Sequence, residues 1–256
     1  MSRSAMRRVS YALGTCPVFA RRADQGRDRL VTSTPRRPTV SRTAAAGRKP
    51  ARPGAEEWVP ARADVEKLSQ AVHDCRGCEL WGPATQAVFS SGPDDARLML
   101  VGEQPGDRED REGEPFVGPA GRVLAEALEA AGLDPEQVYL TNAVKHFRFT
   151  ERGKRRLHKK PDVAHVRACM PWLEAELSAV RPRVVVALGA TAARAVLGHE
   201  VRIGAERGQV LDGEAHDIVV TTHPSALLRL RDRSTYGEAL DALVADLRTA
   251  AEAAAR

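Results

Sequence analysis

Leu98-Met99-Leu100-Val101-Gly102-Glu103-Gln104-Pro105-Gly106 is the stretch from which the fold can be read. A short run without charges has strand length, and the chain then turns at once on two glycines and a proline. Such a run, with no polar alternation, marks a strand buried on both faces, as in a parallel sheet covered by helices. Three further runs share the pattern: Val138–Asn142, Val184–Leu188 and 218–222. Helical periodicity fills the intervals at 121–131, 162–180 and 191–197, with Pro161 a fitting first-turn residue. Residues 62–73 precede the first strand as an amphipathic helix, and 234–254 close the chain as an Ala/Leu-rich one. This alternation predicts an α/β fold of three layers, α/β/α, around a central, mainly parallel four-stranded sheet. Ligands bind such sheets beyond the carboxyl ends of the strands, so the chemistry is expected there.

The charge is divided unevenly. Of 256 residues, the first 55 carry 13 Lys or Arg and two acids, a net +11, whereas the rest carry 26 basic and 32 acidic groups, a net −6. DNA binding by the folded part must therefore rest on local clusters. The partition expected is a disordered Arg-rich extension over 1–58 and one domain over 59–256. No apolar run approaches the ~20 residues of a membrane span, and no secretory apolar region appears, so a cytoplasmic location is expected. The 20 Gly, 16 Pro and 4 Cys exclude collagen-like and disulfide-scaffold classes.

Each strand is followed by polar candidates. After the first, Glu103 and Gln104 are bracketed by turn residues and presented at the sheet edge. The Gly-x-Gly-x-x-Gly spacing of a dinucleotide site is absent. The same connection runs through Glu114-Pro115-Phe116-Val117-Gly118-Pro119-Ala120-Gly121 into a helix N-terminus, a natural anion site. Phe116, in a chain with 4% aromatics, is suited to stack on a flat ligand or else to plug the core. After the second strand, Asn142 can offer donor and acceptor to a base edge, or tie down a turn. After the fourth comes His223-Pro224-Ser225, a histidine held for polar work.

Cys75-Arg76-Gly77-Cys78 and Cys169 suggest a metal site, with His146 as the fourth ligand, because Cys16 lies in the basic extension. Spacing alone does not choose between zinc and an iron–sulfur cluster. Finally, 149–161 is a basic loop: six of its thirteen residues are Lys or Arg, and His158 sits among them. Lys154, Arg155 and Arg156 could neutralise phosphates, and an embedded imidazole could act as base or nucleophile.

Together Gly102-Glu103-Gln104-Pro105-Gly106, Phe116, Asn142, His223-Pro224-Ser225 and the three cysteines resemble the uracil-DNA glycosylase superfamily, and within it the iron–sulfur family 4 group. Gln104 and Lys154-Arg155-Arg156-Leu157-His158 resemble the UdgX-type subfamily, which becomes covalently linked to uracil-containing DNA. The resemblance covers about 65–247. It implies a [4Fe–4S] cluster on Cys75, Cys78, His146 and Cys169, where His146 replaces the usual fourth cysteine. It implies a flipped uracil stacked on Phe116, read by Asn142 and bound with Gln104 and Ser225. His223 would stabilise the departing base, Glu103 would act on the sugar's cationic face, and His158 would capture C1′. The expected partner is uracil-containing DNA, single strands included, bound by a monomer. The alternatives are a family 4-type glycosylase that turns over, and a non-catalytic metal-stabilised module that binds damaged DNA.

Overall fold

The computed structural model describes residues 52–256. The basic extension, with Cys16, lies outside the described residues up to 51. The boundary expected at 58/59 falls within the described part. Ala55 is fully buried, the Gly54 amide donates to the Gly77 carbonyl at 3.1 Å, and Arg52 pairs with Glu79 and Asp162.

Eight strands and seven α-helices follow in order: α1 (Val65–Ala71), β1 (Ser90–Ser91), β2 (Leu98–Gly102), α2 (Asp107–Glu112), α3 (Pro119–Ala131), β3 (Val138–Asn142), β4 (Phe149–Arg152), β5 (Arg155–His158), α4 (Val163–Val180), β6 (Val184–Leu188), α5 (Gly189–Leu197), α6 (Ile203–Glu206), β7 (Val210–Leu211), β8 (Asp217–Thr221) and α7 (Arg233–Ala255). The main sheet runs β1-β3-β2-β6-β8-β7. Its four central strands are parallel and are the four expected from the sequence. Two-residue antiparallel strands on each edge extend it to six.

Alternation within the strands builds two cores. Leu98, Leu100, Val184, Val186 and Val219 face α3 and α7, whereas Met99, Val101, Val185, Ala187 and Val220 face the α1, α4 and α5 side. Helix starts are set by caps. Asp162 accepts from the His165 amide at 3.1 Å, so α4 begins at Val163 and Pro161 stands outside it, ahead of the cap. Helix α3 begins at Pro119, two residues before the expected start. Its N-terminus holds an internal anion, for the Glu109 carboxylate accepts from the amides of Gly118 (2.8 Å) and Gly106 (3.1 Å).

The basic stretch expected as a loop is a β-hairpin. Strands β4 and β5 pair antiparallel from Phe149↔His158 to Arg152↔Arg155, and Gly153 at φ +60° makes the two-residue turn. Among the described residues no helix is long and apolar enough to cross a membrane.

Candidate active site

A cleft of about 830 Å³ opens at the carboxyl ends of the parallel strands. Glu103 enters it from the end of β2, Asn142 from β3, Gly189 and Thr191 from α5 after β6, and His223 and Ser225 from the turn after β8. Phe116 joins from the loop before α3, and His158 from the end of the hairpin.

Phe116 and Asn142 meet over Gly102. A Cβ on Gly102 would lie 2.3 Å from Asn142 Oδ1 and 2.7 Å from Phe116 Cζ, so only glycine leaves room for both. Phe116 itself adopts φ +59°, a left-handed conformation that costs a non-glycine residue about 1 kcal/mol or more. Gly121 permits that bend, since a Cβ there would sit 1.5 Å from the Phe116 carbonyl oxygen. The ring is half-buried, backed by the α3/α7 core and facing the cleft. Asn142 is buried, yet its side-chain amide bonds to no other described residue; only its backbone carbonyl is taken, by Lys145 Nζ at 3.0 Å. The amide is thus available to a ligand rather than tying down a turn.

His223 has a defined tautomer. Its Nδ1 accepts from the Ser225 amide at 3.1 Å and contacts the Ser225 hydroxyl at 2.9 Å. An amide can only donate, so Nδ1 is unprotonated and the neutral ring carries its proton on Nε2. Burial pushes the ring down to about 4, with His158 and Arg229 nearby adding to the effect. His223 therefore presents an uncharged N–H at neutral pH.

The hairpin is anchored on its inner side. Arg156 donates from Nε to Asp107 (2.5 Å), and from Nη1 to the fully buried Asp110 (2.6 Å) and to Thr85 Oγ1 (3.0 Å). Its guanidinium also lies over Phe147 and Phe149, at 5.5 and 5.0 Å from the ring centroids. Gln104 closes the hairpin base, donating to the carbonyls of Arg148 (3.1 Å) and Lys159 (3.2 Å) and accepting from the Arg148 amide (3.2 Å). These bonds place Arg156 and Gln104 as braces for the hairpin. Lys154 and Arg155 are exposed at its tip and first strand position.

This scaffold sets the nucleophile candidate. His158 Nε2 stands 3.6 Å from Glu103 Oε1, while the Thr191 hydroxyl donates to the other carboxylate oxygen. The His158 ring is about half exposed at the cleft mouth and its pKa is lowered, first by burial, then by Arg229; Glu103 and Glu109 oppose this. The lowering charge is Arg229, on the cleft rim, and not an arginine of the hairpin.

Cys75, Cys78, Cys169 and His146 are all buried, and the three cysteines are free thiols. Trp172 Nε1 donates to Cys75 Sγ at 3.2 Å, and the Lys145 amide to Cys169 Sγ at 3.3 Å. Burial raises the Cys78 thiol to about 11 and Cys169 to about 12, and lowers His146 to about 4. Among the described residues no three metal-binding side chains converge as a single ion requires. Three buried sulfur donors and an imidazole, with two of the sulfurs accepting N–H···S bonds, are a donor set that suits an iron–sulfur cluster once the thiols are deprotonated.

Several participants escaped the sequence reading. Asp107, Asp110 and Thr191 act only through tertiary contacts. Leu228, 49% exposed beside Arg229 on the cleft rim, carries a weak signal as an apolar residue just after His223-Pro224-Ser225. The fully buried Lys145–Glu176 pair, with Thr141 and Tyr139 bonded to the same carboxylate, braces the end of β3.

Residues 89–248 match the family described as the Uracil DNA glycosylase superfamily. The chain is also 37% identical over 169 residues to a type-4 uracil-DNA glycosylase of Thermotoga maritima, covering 65% of this chain and 84% of that protein. A protein of the same description from Pyrobaculum aerophilum is 33% identical over 174 residues, covering 65% and 85%. With the one from Sulfurisphaera tokodaii, identity is 38% over 126 residues, and the match spans about half of each chain, 49% and 54%.

Proposed function

We infer that this chain, which belongs to the Uracil DNA glycosylase superfamily, excises uracil from DNA and is then joined through His158 to the sugar it leaves behind, as in UdgX-type proteins. The observation that carries this reading is the meeting of His158 and Glu103 at the mouth of the Phe116–Asn142–His223 cleft. A base turned out of its strand enters the cleft against the Phe116 ring, and the free amide of Asn142 reads its edge. Leu228, exposed on the rim, is shaped to fill the gap left in the stack.

As the C1′–N1 bond breaks, its electron pair leaves with the base, and the Nε2–H of His223 stabilises the charge on the uracil oxygen. The anion then takes a proton from water. Nε2 of His158, unprotonated in the neutral ring, forms the new bond to C1′, and the resulting imidazolium releases its Nδ1 proton to solvent. The Glu103 carboxylate, with Oε1 beside Nε2 and Oε2 held by Thr191, stabilises the positive charge on sugar and ring. A tethered imidazole outcompetes water by its effective concentration.

Cys75, Cys78, His146 and Cys169 would hold a [4Fe–4S] cluster, in keeping with the family 4 resemblance and with their buried, thiol-rich donor set. Such a cluster would brace the fold, and the glycosidic chemistry belongs to the cleft residues.

The test is to mix the protein with a labelled single-stranded oligonucleotide containing uracil, denature in SDS and run a gel. A heat-stable shifted band from the wild type, absent in His158→Ala while free uracil still appears, is the expected result. An adduct from His158→Ala overturns the assignment of the nucleophile. Free uracil in excess of protein, without any band, makes the protein a turnover glycosylase.

A further inference from the structure

Beside the cleft lies a second hollow of about 480 Å³ that shares Lys160, Ala190 and Thr191 with it. Its floor is apolar where Val163, 38% exposed, and Val201 line it, and Arg194 and Arg202 stand around it. The acids here are already matched, Glu200 by Arg194 and Asp162 by Arg52 and Arg148. Among the described residues Arg202 meets a carboxylate only through its backbone amide, to Glu206, and Lys160 is bonded only through its backbone carbonyl, to Arg148. Two cations whose side chains meet no carboxylate among the described residues thus flank an apolar floor next to the residues that the hollow shares with the cleft.

We propose that this hollow is the seat of the nucleotide next to the flipped one on the same, unpaired strand. Lys160 and Arg202 take its phosphates and the valine floor takes the face of its base. This rests on the glycosylase reading and adds a direction to it, for the strand leaves the cleft past Thr191 toward α6. The occupant is single-stranded DNA. A stacked duplex would keep the neighbouring base in its pair and away from the floor.

The experiment measures affinity for single strands carrying one 2′-fluoro-uridine, a nucleotide that resists glycosidic cleavage, with flanks lengthened separately on the 5′ and 3′ sides. Lengthening on one side only should tighten binding in the wild type. Each phosphate contact on a single strand contributes a salt slope of about 0.7, so a fourfold rise in salt should weaken Arg202→Ala about 2.5-fold less than wild type. Arg202→Lys should restore both the length gain and the salt response. The proposal is overturned if Arg202→Ala keeps both, or if it weakens the shortest oligonucleotide as much as the extended one. If uracil is not preferred over thymine at any length, the glycosylase reading fails and this proposal with it. A uracil preference without a one-sided length gain rejects the hollow alone.

Discussion

Replacing Arg156 with alanine should separate uracil release from capture. The guanidinium holds Asp107 at 2.5 Å and Asp110 at 2.6 Å, with its own side chain 15% exposed and that of Asp110 fully buried. Charged hydrogen bonds contribute about 1.5–3 kcal/mol each, less where water reaches them, so removing both and leaving the Asp110 carboxylate only its bond from the Thr85 amide costs about 3 kcal/mol. At 1.4 kcal/mol per tenfold, the closed-to-open ratio of the hairpin falls by about 150-fold. An open hairpin carries His158 away from Glu103 but leaves Phe116, Asn142 and His223 in place. Single-turnover gels should therefore show adduct formation slowed by up to about that factor, while a parallel uracil assay retains most of its signal. Arg156→Lys should rescue poorly, because one ammonium cannot reproduce the two-pronged contact. Wild-type capture rates in Arg156→Ala, in protein shown to have lost thermal stability, would refute the reasoning and assign the closed hairpin to Gln104 and the aromatic stack.

Three further outcomes are expected. Thr191→Val should lower the maximal rate about tenfold with little change in substrate affinity, since it frees Glu103 to rotate while Phe116, Asn142 and His223 keep their places, and Thr191→Ser should restore it; an effect on affinity alone would remove Thr191 from this role. Capture as proposed uses the neutral ring of His158, whose pKa lies below the ordinary 6.5, so its rate should hold as pH falls through 6.5 and decline only further into acid; a decline centred at or above that value would contradict the burial of the ring. Gly102→Ala should cost uracil affinity while protein stability changes by only about 1–3 kcal/mol, because the new methyl displaces Asn142 and Phe116 at once; unchanged binding would show that neither side chain needs its present position.

The fold was legible because its strands are buried on both faces. Val184–Leu188 has no polar residue to interrupt it, and the sequence and structural bounds coincide. The edge strands Ser90–Ser91 and Val210–Leu211 are too short to imprint a pattern, since their pairing is imposed by β3 and β8. The hairpin was hidden for a different reason. Its composition reads as a solvated loop, and only the stacking of Phe147 on Phe149, 5.1 Å between centroids, and the Arg156 anchor give it a surface to lie on. The cleft residues at strand ends were legible for the topological reason that parallel strands aim their carboxyl ends at one place. Gln104, which also lines the cleft, and Arg156 brace the hairpin, a role that their place beside motif residues in the chain does not announce. Their side-chain bonds go to partners 44 to 55 and 46 to 71 residues away, which no local pattern records.

The two halves of the proposed reaction are built on different parts of the fold. Leaving-group recognition sits on β3 and the turn after β8, at strand ends rigidly tied into the sheet. The proposed nucleophile sits on a two-stranded appendage that is tied to the rest of the described domain through side chains: Arg156 to α2, Gln104 to the hairpin base, and His158 toward Glu103. Glu103 is the junction, since one oxygen faces the appendage and the other is fixed by Thr191 of the sheet-bound α5. Water needs no appendage to reach an oxocarbenium ion. Loss of any of these side-chain ties therefore pushes the chemistry toward ordinary hydrolysis, and self-attachment depends on all of them holding at once.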